Sequence, residues 1–150
     1  MIRASFDTPT GPITLEESAG RIVRLWWGRD GDGTSEALDA AQGQITEYFA
    51  GRRERFDLPL NLRGNDFQAR FYGVLLAIPY GETRTYGDIA REMAVSAQAV
   101  GQACGANPIP LLVPCHRVVG ANSLGGFSGG TGVETKVALL RLEGAAGLLI

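Results

Sequence analysis

The segment Asn107-Pro-Ile-Pro-Leu-Leu-Val-Pro-Cys-His-Arg117 limits what this chain of 150 residues can fold into. Each proline removes a backbone donor and pushes its predecessor towards extended conformations, so no helix can run through it. The apolar stretch Leu111-Leu-Val113 leads straight into Pro114-Cys-His-Arg117. An irregular extended path is therefore required in a part of the chain where helices read clearly on both sides.

Upstream of it, Asp66 is expected to cap a helix from Phe67 to Ala77, with Phe67, Phe71, Val74, Leu75 and Ile78 on one face. Pro79-Tyr-Gly81 breaks that helix. Thr85 can cap a second helix from Tyr86 to Met93, and Ser96 a third from Ala97 to Gly105. Two short helices at this spacing suit a helix-turn-helix. Downstream, the glycines between Gly120 and Gly132 predict a loop or wing, and a last helix runs from Val133 to Glu143 before Gly144.

The first third reads differently. Arg3–Phe6 and Ile13–Glu16 flank the turn Thr8-Pro-Thr-Gly-Pro12 and predict a hairpin, with Arg21–Gly28 as a third strand. The apolar positions Ala37, Leu38, Ala41, Ile45, Tyr48 and Phe49 recur with helical spacing, and Gly51 ends that helix. Arg52–Leu60 is expected to add a short strand. Composition shifts at Asn61-Leu-Arg-Gly-Asn65, so the reading is a small α/β lobe over residues 1–62 and a mainly α domain over 63–150.

A chain this long can bury roughly 70% of its unfolded surface, so its core requires no disulfide or metal. Hydrophobic residues make up 45% and the net charge is −2, which excludes a disordered chain. The net charge also argues against a general polyanion binder. Apolar runs such as Val74 to Ile78 are too short to span a bilayer. No charged-then-apolar leader opens the sequence, so a cytoplasmic protein without membrane contact is expected. Two cysteines and one histidine cannot comfortably supply a structural zinc site, and free thiols are expected. Thirteen of the fourteen cations are arginine, and Lys136 is the single lysine, a bias that fits GC-rich coding.

Cys115 followed by His116 is the pair that calls for a chemical explanation. A free cysteine is mostly protonated at neutral pH, and a basic neighbour, direct or through water, raises the reactive thiolate fraction. A carboxylate behind the imidazole would orient it, and Glu143 is the attractive candidate. Taken alone, such a pair more often describes a buried cysteine beside a satisfied histidine.

The surrounding residues decide the matter. Asn107-Pro-Ile-Pro-Leu-Leu-Val-Pro-Cys-His-Arg-Val-Val119 resembles the active-site signature of O6-alkylguanine-DNA alkyltransferases. Ile78-Pro-Tyr-Gly-Glu-Thr-Arg-Thr-Tyr-Gly87, Ala99-Val-Gly101, Gly126-Phe-Ser-Gly-Gly130 and Leu139-Leu-Arg-Leu-Glu-Gly144 follow the family's order. The resemblance covers Phe67 to Gly144, and the N-terminal stretch looks like the family's variable small lobe. It implies a ribonuclease-H-like α/β lobe followed by a winged helix-turn-helix. It also implies single-turnover transfer of an alkyl group from O6-alkylguanine, and O4-alkylthymine as a further substrate, after the base is flipped out of double-stranded DNA.

By the same resemblance Cys115 is the acceptor, His116 the water-linked base, Glu143 its orienting carboxylate, and Asn107 the residue holding the turn. Tyr86 would hydrogen-bond the guanine edge and donate a proton. The Cys115 and Val118 carbonyls would read the exocyclic amine, the Ser128 backbone the O6 atom, and Phe127 would line the site. Thr85, Gln98, Ala99, Gly101 and Arg117 would meet DNA in the minor groove. A monomer needing no cofactor and no metal is expected. Cys104 is expected to pack or face the groove.

Gln98 departs from the family pattern, which usually carries an arginine that fills the stack. The segment Ala94-Val-Ser-Ala97 is about two residues shorter than usual, and two extra residues lie between Gly130 and Glu143. A lesion-recognition protein that flips without transfer is the alternative, although such proteins replace the cysteine. A turning-over Cys-His-Glu hydrolase would also need an oxyanion hole.

Overall fold

The computed structural model describes residues 1–145, which form two compact units, one over Met1–Leu62 and one from Arg63 onward. In the first unit β1 (Ile2–Phe6), β2 (Ile13–Ser18) and β3 (Arg21–Trp27) make an antiparallel sheet in the order β1-β2-β3. Ala4 pairs with Leu15, Phe6 with Ile13, and Leu15 with Leu25, which sets a row of apolar side chains on one face. Helix α1 (Glu36–Phe49) supplies Leu38, Ala41, Ile45 and Tyr48 to the same core.

The third strand breaks a strict alternation, because Ile22 and Leu25 are three residues apart yet both are buried. The register slips between Glu16 and Glu17, so that Glu16 faces Arg24 while Glu17 faces Ile22. The extra residue, Val23, bulges the strand and returns Ile22 to the core side.

Arg52–Leu60 is not a strand. Among the described residues its one sheet-like contact is a bridge between Leu60 and Ile22, closed by Ile22 N–H to the Pro59 carbonyl at 2.7 Å and Asn61 N–H to the Ile22 carbonyl at 2.9 Å. Pro59 cannot donate, and Arg53 turns back to Glu47 and the Arg55 carbonyl, so its guanidinium is satisfied outside a ladder.

In the second unit α2 spans Asp66–Leu76 and buries Phe71, Tyr72 and Leu75. Its cap is Asn65 and not Asp66. Asn65 accepts the Gln68 N–H at 2.9 Å while Gln68 reaches back to the Asn65 N–H at 2.9 Å. The reciprocal pair needs a Gln or Glu three positions on, which Asn65 has and Asp66 lacks. Asp66 falls in the first turn, where a negative charge suits the helix dipole.

Next come β4 (Arg84–Thr85), α3 (Tyr86–Met93) and α4 (Ala97–Gly105). Thr85 and Asp88 form a second capping box, α3 ends on Ala94 in the left-handed region, and Ser96 caps α4. Ile89, Met93 and Val100 are buried, as a helix-turn-helix requires.

Beyond α4, Cys115–Arg117 forms a single 3-10 turn, and β5 (Val118–Val119) pairs in parallel with β4. That short ladder places Arg84 opposite Val118 and Thr85 opposite Val119, so the start of α3 lies beside the end of the Cys-His-Arg turn. A glycine-rich loop leads to α5 (Val133–Leu142). Among the described residues no helix is long and apolar enough to cross a membrane.

The capping box makes a measurable demand. Asn65→Ala should lower stability by about 1 kcal/mol in chemical unfolding, and Asn65→Asp should restore most of it.

Candidate active site

The proline-rich segment is held from within. The buried Asn107 amide donates to the Val113 carbonyl at 2.9 Å, and its oxygen accepts the Ile109 N–H at 3.0 Å. Leu111 is buried with φ at 75°, a left-handed conformation that a branched side chain rarely adopts. The Asn107 side chain also favours the charged form of the Cys115 sulfur. One side chain thus pins Ile109 and Val113 within the irregular path.

Cys115 is only 5% exposed. Burial pushes its thiol up, opposed by the Asn107 side chain and the Lys136 charge. The resting sulfur is therefore a thiol, and its reactivity depends on a base.

The state of the adjacent histidine is defined by its neighbours. His116 and Glu143 are fully enclosed at their side chains, with Nε2 at 2.7 Å from Oε2. Glu143 also receives Arg117 in a fork, from Nε at 2.9 Å and Nη2 at 3.0 Å. Burial alone would raise the Glu143 carboxyl, but the His116 and Arg117 hydrogen bonds and charges outweigh it and hold it at about 2. Glu143 is thus an acceptor only, and Nε2 must carry the proton. Burial lowers the His116 pKa, against the opposing pull of Glu143, so the ring is neutral at pH 7 and Nδ1 keeps its lone pair. Nδ1 is buried with no hydrogen-bond partner among the described residues.

Arg117, expected to meet DNA, does not reach the surface. It is 7% exposed, with Nη1 donating to the Ile78 carbonyl at 2.8 Å and the guanidinium lying over Tyr80. Its charge is neutralised by Glu143, so it serves the interior.

Lys136 is the residue that sequence reasoning misses. It is fully buried, and Nζ donates to the Val118 carbonyl at 2.6 Å and the Gly126 carbonyl at 3.1 Å. Nζ also stands 5.8 Å from the centre of the Tyr86 ring. Burial lowers its pKa, whereas Cys104 and Cys115 raise it. Its signal is its isolation as one lysine among thirteen arginines, which composition explains away.

Tyr86 opens α3 and is half-buried; burial, then Cys104 and Cys115, raise its pKa, and the Gly126 backbone hydrogen-bonds it in opposition. Gly125 passes so close that an added Cβ would clash with the Tyr86 hydroxyl, and its φ of 72° also suits glycine. A cleft of about 340 Å³ lies here, lined by Tyr86, Cys115, Cys104, Phe127, Ser128 and three glycines, Gly101 among them. Val118 lies outside the lining. Thr85 commits its hydroxyl to the Asp88 N–H at 3.0 Å. Gln98 is exposed on α4 and Ala99 is half-buried.

Comparison with known proteins gives this geometry a family. The model of the 6-O-methylguanine DNA methyltransferase DNA binding domain matches residues 66–145, and that of its ribonuclease-like domain matches residues 1–62. The chain belongs to this family. A methylated-DNA–protein-cysteine methyltransferase of Mycobacterium tuberculosis (strain H37Rv) is 44% identical over 154 residues, covering 93% of this chain and 90% of that one. The constitutive protein of that name from Bacillus subtilis is 40% identical, covering 91% and 92%. The structure of Mycobacterium tuberculosis OGT in complex with DNA superposes with a TM-score of 0.86 at 42% identity, over 96% of this chain and 93% of that chain. The architecture is therefore the family's, a small α/β lobe followed by a helical DNA-binding domain.

Family membership makes the Glu143 fork the feature to test. Removing the Glu143 charge strands the buried Arg117, so the fold itself must feel it. Glu143→Gln should therefore cost about 3–5 kcal/mol in urea unfolding at pH 7. The folded carboxyl titrates at about 2 against 4.5 for a carboxyl without partners, so its contribution is complete above pH 4.5 and is lost as pH falls towards 2. The depressed His116 pKa acts in the same direction from pH 6.5 downwards. The variant should lack the carboxylate's share of this acid sensitivity.

Proposed function

We propose that this protein repairs DNA by direct reversal, moving the alkyl group of O6-alkylguanine irreversibly onto its own Cys115. The carrying observation is His116, held through Nε2 by Glu143 with its Nδ1 buried and without a hydrogen-bond partner among the described residues. Nδ1 takes the Cys115 proton through a bridging water. The thiolate attacks the alkyl carbon in line, the S–C bond forms, and the C–O6 bond breaks with its electrons moving into guanine. Tyr86 hydrogen-bonds the ring edge and supplies the proton, so the proton lost by the thiol is balanced by the one gained by the base. Lys136, whose charge favours the thiolate, stands behind this exchange.

The Cys115 carbonyl and the second lone pair of the Val118 carbonyl receive the exocyclic amine, the Ser128 backbone meets O6, and Phe127 covers the base. The product thioether is stable, so each molecule acts once, with neither cofactor nor metal. The same cleft admits O4-alkylthymine. Because O6 lies out of reach within a paired duplex, the base is extracted first. Helix α4 enters the minor groove with Gln98, Ala99 and Gly101, Thr85 flanks it, and the protein works as a monomer in the cytoplasm.

Mixing the protein with an O6-methylguanine oligonucleotide should raise its intact mass by one methyl group, localised to the Cys115 peptide. Product formation beyond one equivalent would rule out the suicide mechanism, and Cys115→Ser should bind DNA without reacting.

Duplex handling should be the slower part. From Ala94 to Ala106 no residue carries a charge. Nearby, Arg84 is paired with Glu92 and Arg91 with Asp88. Gln98→Arg should therefore speed transfer from an O6-methylguanine·cytosine duplex at saturating protein while leaving free O6-benzylguanine unaffected. A gain that vanished with added salt would be phosphate attraction alone. An unchanged saturating rate would show that Gln98 serves as well as arginine.

A further inference from the structure

Away from the Cys115 cleft, four charged side chains neutralise one another around α3. Arg84 Nη1 lies 2.9 Å from Glu92 Oε1, and Arg91 Nη2 lies 2.6 Å from Asp88 Oδ1. Asp88 is not a spare carboxylate. It accepts the Thr85 N–H at 3.2 Å, and the Thr85 hydrogen bonds, with the Arg91 and Arg84 charges, hold it below the usual carboxylate range. Two cations thus meet two anions on the first helix of the helix-turn-helix and the strand that leads into it, while α4 carries no charge. A surface that meets DNA ordinarily does the reverse, because Lys and Arg on phosphates supply the sequence-independent share of the affinity. Arg84 occupies the decisive place. It directly precedes Thr85, the cap of α3, and stands opposite Val118 in the β4–β5 ladder, between the helix-turn-helix and the Cys-His-Arg turn.

We propose that Arg84 is a ligand for a DNA backbone phosphate and that Glu92 is a built-in competitor for it, which keeps the hold on undamaged duplex weak. The inference rests on the DNA-binding part of the reading above. In a helix-turn-helix the first helix crosses the DNA backbone, and a guanidinium there presents a fork matched to phosphate. Glu92 engages that fork through Nη1, one of its five donors, with the two side chains 32% and 51% exposed. A pair so open to water contributes little to the fold, so a phosphate can take the place of the carboxylate at small cost. Asp88 cannot be exchanged in the same way, because releasing it would uncap α3. No covalent bond changes; docking swaps one anion for another on Arg84. A protein that acts once gains from such a device, since it must leave undamaged sites quickly to reach a lesion.

Binding to a short unmodified duplex over a series of salt concentrations tests this with the parent, Glu92→Gln, Arg84→Gln and the double variant. Glu92→Gln is expected to bind about two- to five-fold tighter at low salt, the scale of one exposed ion pair. Its log–log salt slope should steepen by about 0.9, the value of one added phosphate contact. In the Arg84→Gln background the same substitution should change neither quantity, because the cycle isolates the term that the two residues share. A gain of equal size with and without Arg84 is diffuse repulsion between Glu92 and the duplex, and it overturns the proposal. The absence of any gain overturns it too, as does a parent that binds no duplex at any salt. Thermal midpoints check folding, and Glu92→Ala serves as a second variant with the same expectation. Intact mass of the parent after an O6-methylguanine oligonucleotide keeps the two readings apart. A methylated Cys115 with an additive cycle refutes the competition alone, whereas an unmodified Cys115 with a coupled cycle refutes alkyl transfer alone.

Discussion

One carboxylate, Glu143, organises the interior of the second unit. It holds the His116 ring through one oxygen and the Arg117 fork through both, all within a region closed to water. A buried carboxylate would ordinarily be protonated, and an unpaired buried guanidinium would cost more than the fold could offset. Each makes the other tolerable, and the Ile78 carbonyl accepts from Arg117 Nη1. The consequence reaches chemistry because the charge state of Glu143 dictates the tautomer of His116. An acceptor at Nε2 leaves Nδ1 as the basic nitrogen.

The irregular chain between α4 and the Cys-His-Arg turn depends on a similar sharing of partners. Asn107 closes the turn with its own neighbours and favours the charged form of the Cys115 sulfur, and the buried Leu111 holds an unfavourable backbone conformation. Lys136 completes the arrangement from α5, linking the Val118 carbonyl on β5 to the Gly126 carbonyl in the glycine-rich loop. That loop reaches Tyr86 only because Gly125 has no side chain. Helix, strand and loop are thus joined around the sulfur by a cation that is not itself on the surface.

Much of this is legible in the residues. Alternation and turn chemistry point to β1, β2 and α1, and the caps Thr85 and Ser96 mark α3 and α4 at the positions observed. The errors have local causes. Asp66 and Asn65 are both good caps, and the choice falls to whichever has a Gln three residues on. Residues 52–60 contain enough apolar positions for a strand, but Pro59 and the inward-turned Arg53 leave a single bridge among the described residues. Arg117 carries a charge that reads as a DNA contact in a DNA-binding chain, and nothing in one dimension says that Glu143 will meet it 26 residues later. Lys136 is visible as an oddity of composition and invisible as a structural cation, because its partners are backbone carbonyls.

By itself the sequence determined the order of the three N-terminal strands and the five α-helices, the impossibility of a helix through Asn107–Arg117, and the pairing in principle of a thiol with an imidazole. Those properties follow from donors, φ restrictions and side-chain chemistry, which are local. Only the tertiary structure decided the protonation logic: which nitrogen of His116 is basic, why Glu143 stays ionised, and where the two interior cations discharge. These depend on burial and on distances between residues far apart in the chain, and electrostatic energies inside a protein are set by such distances and by the exclusion of water.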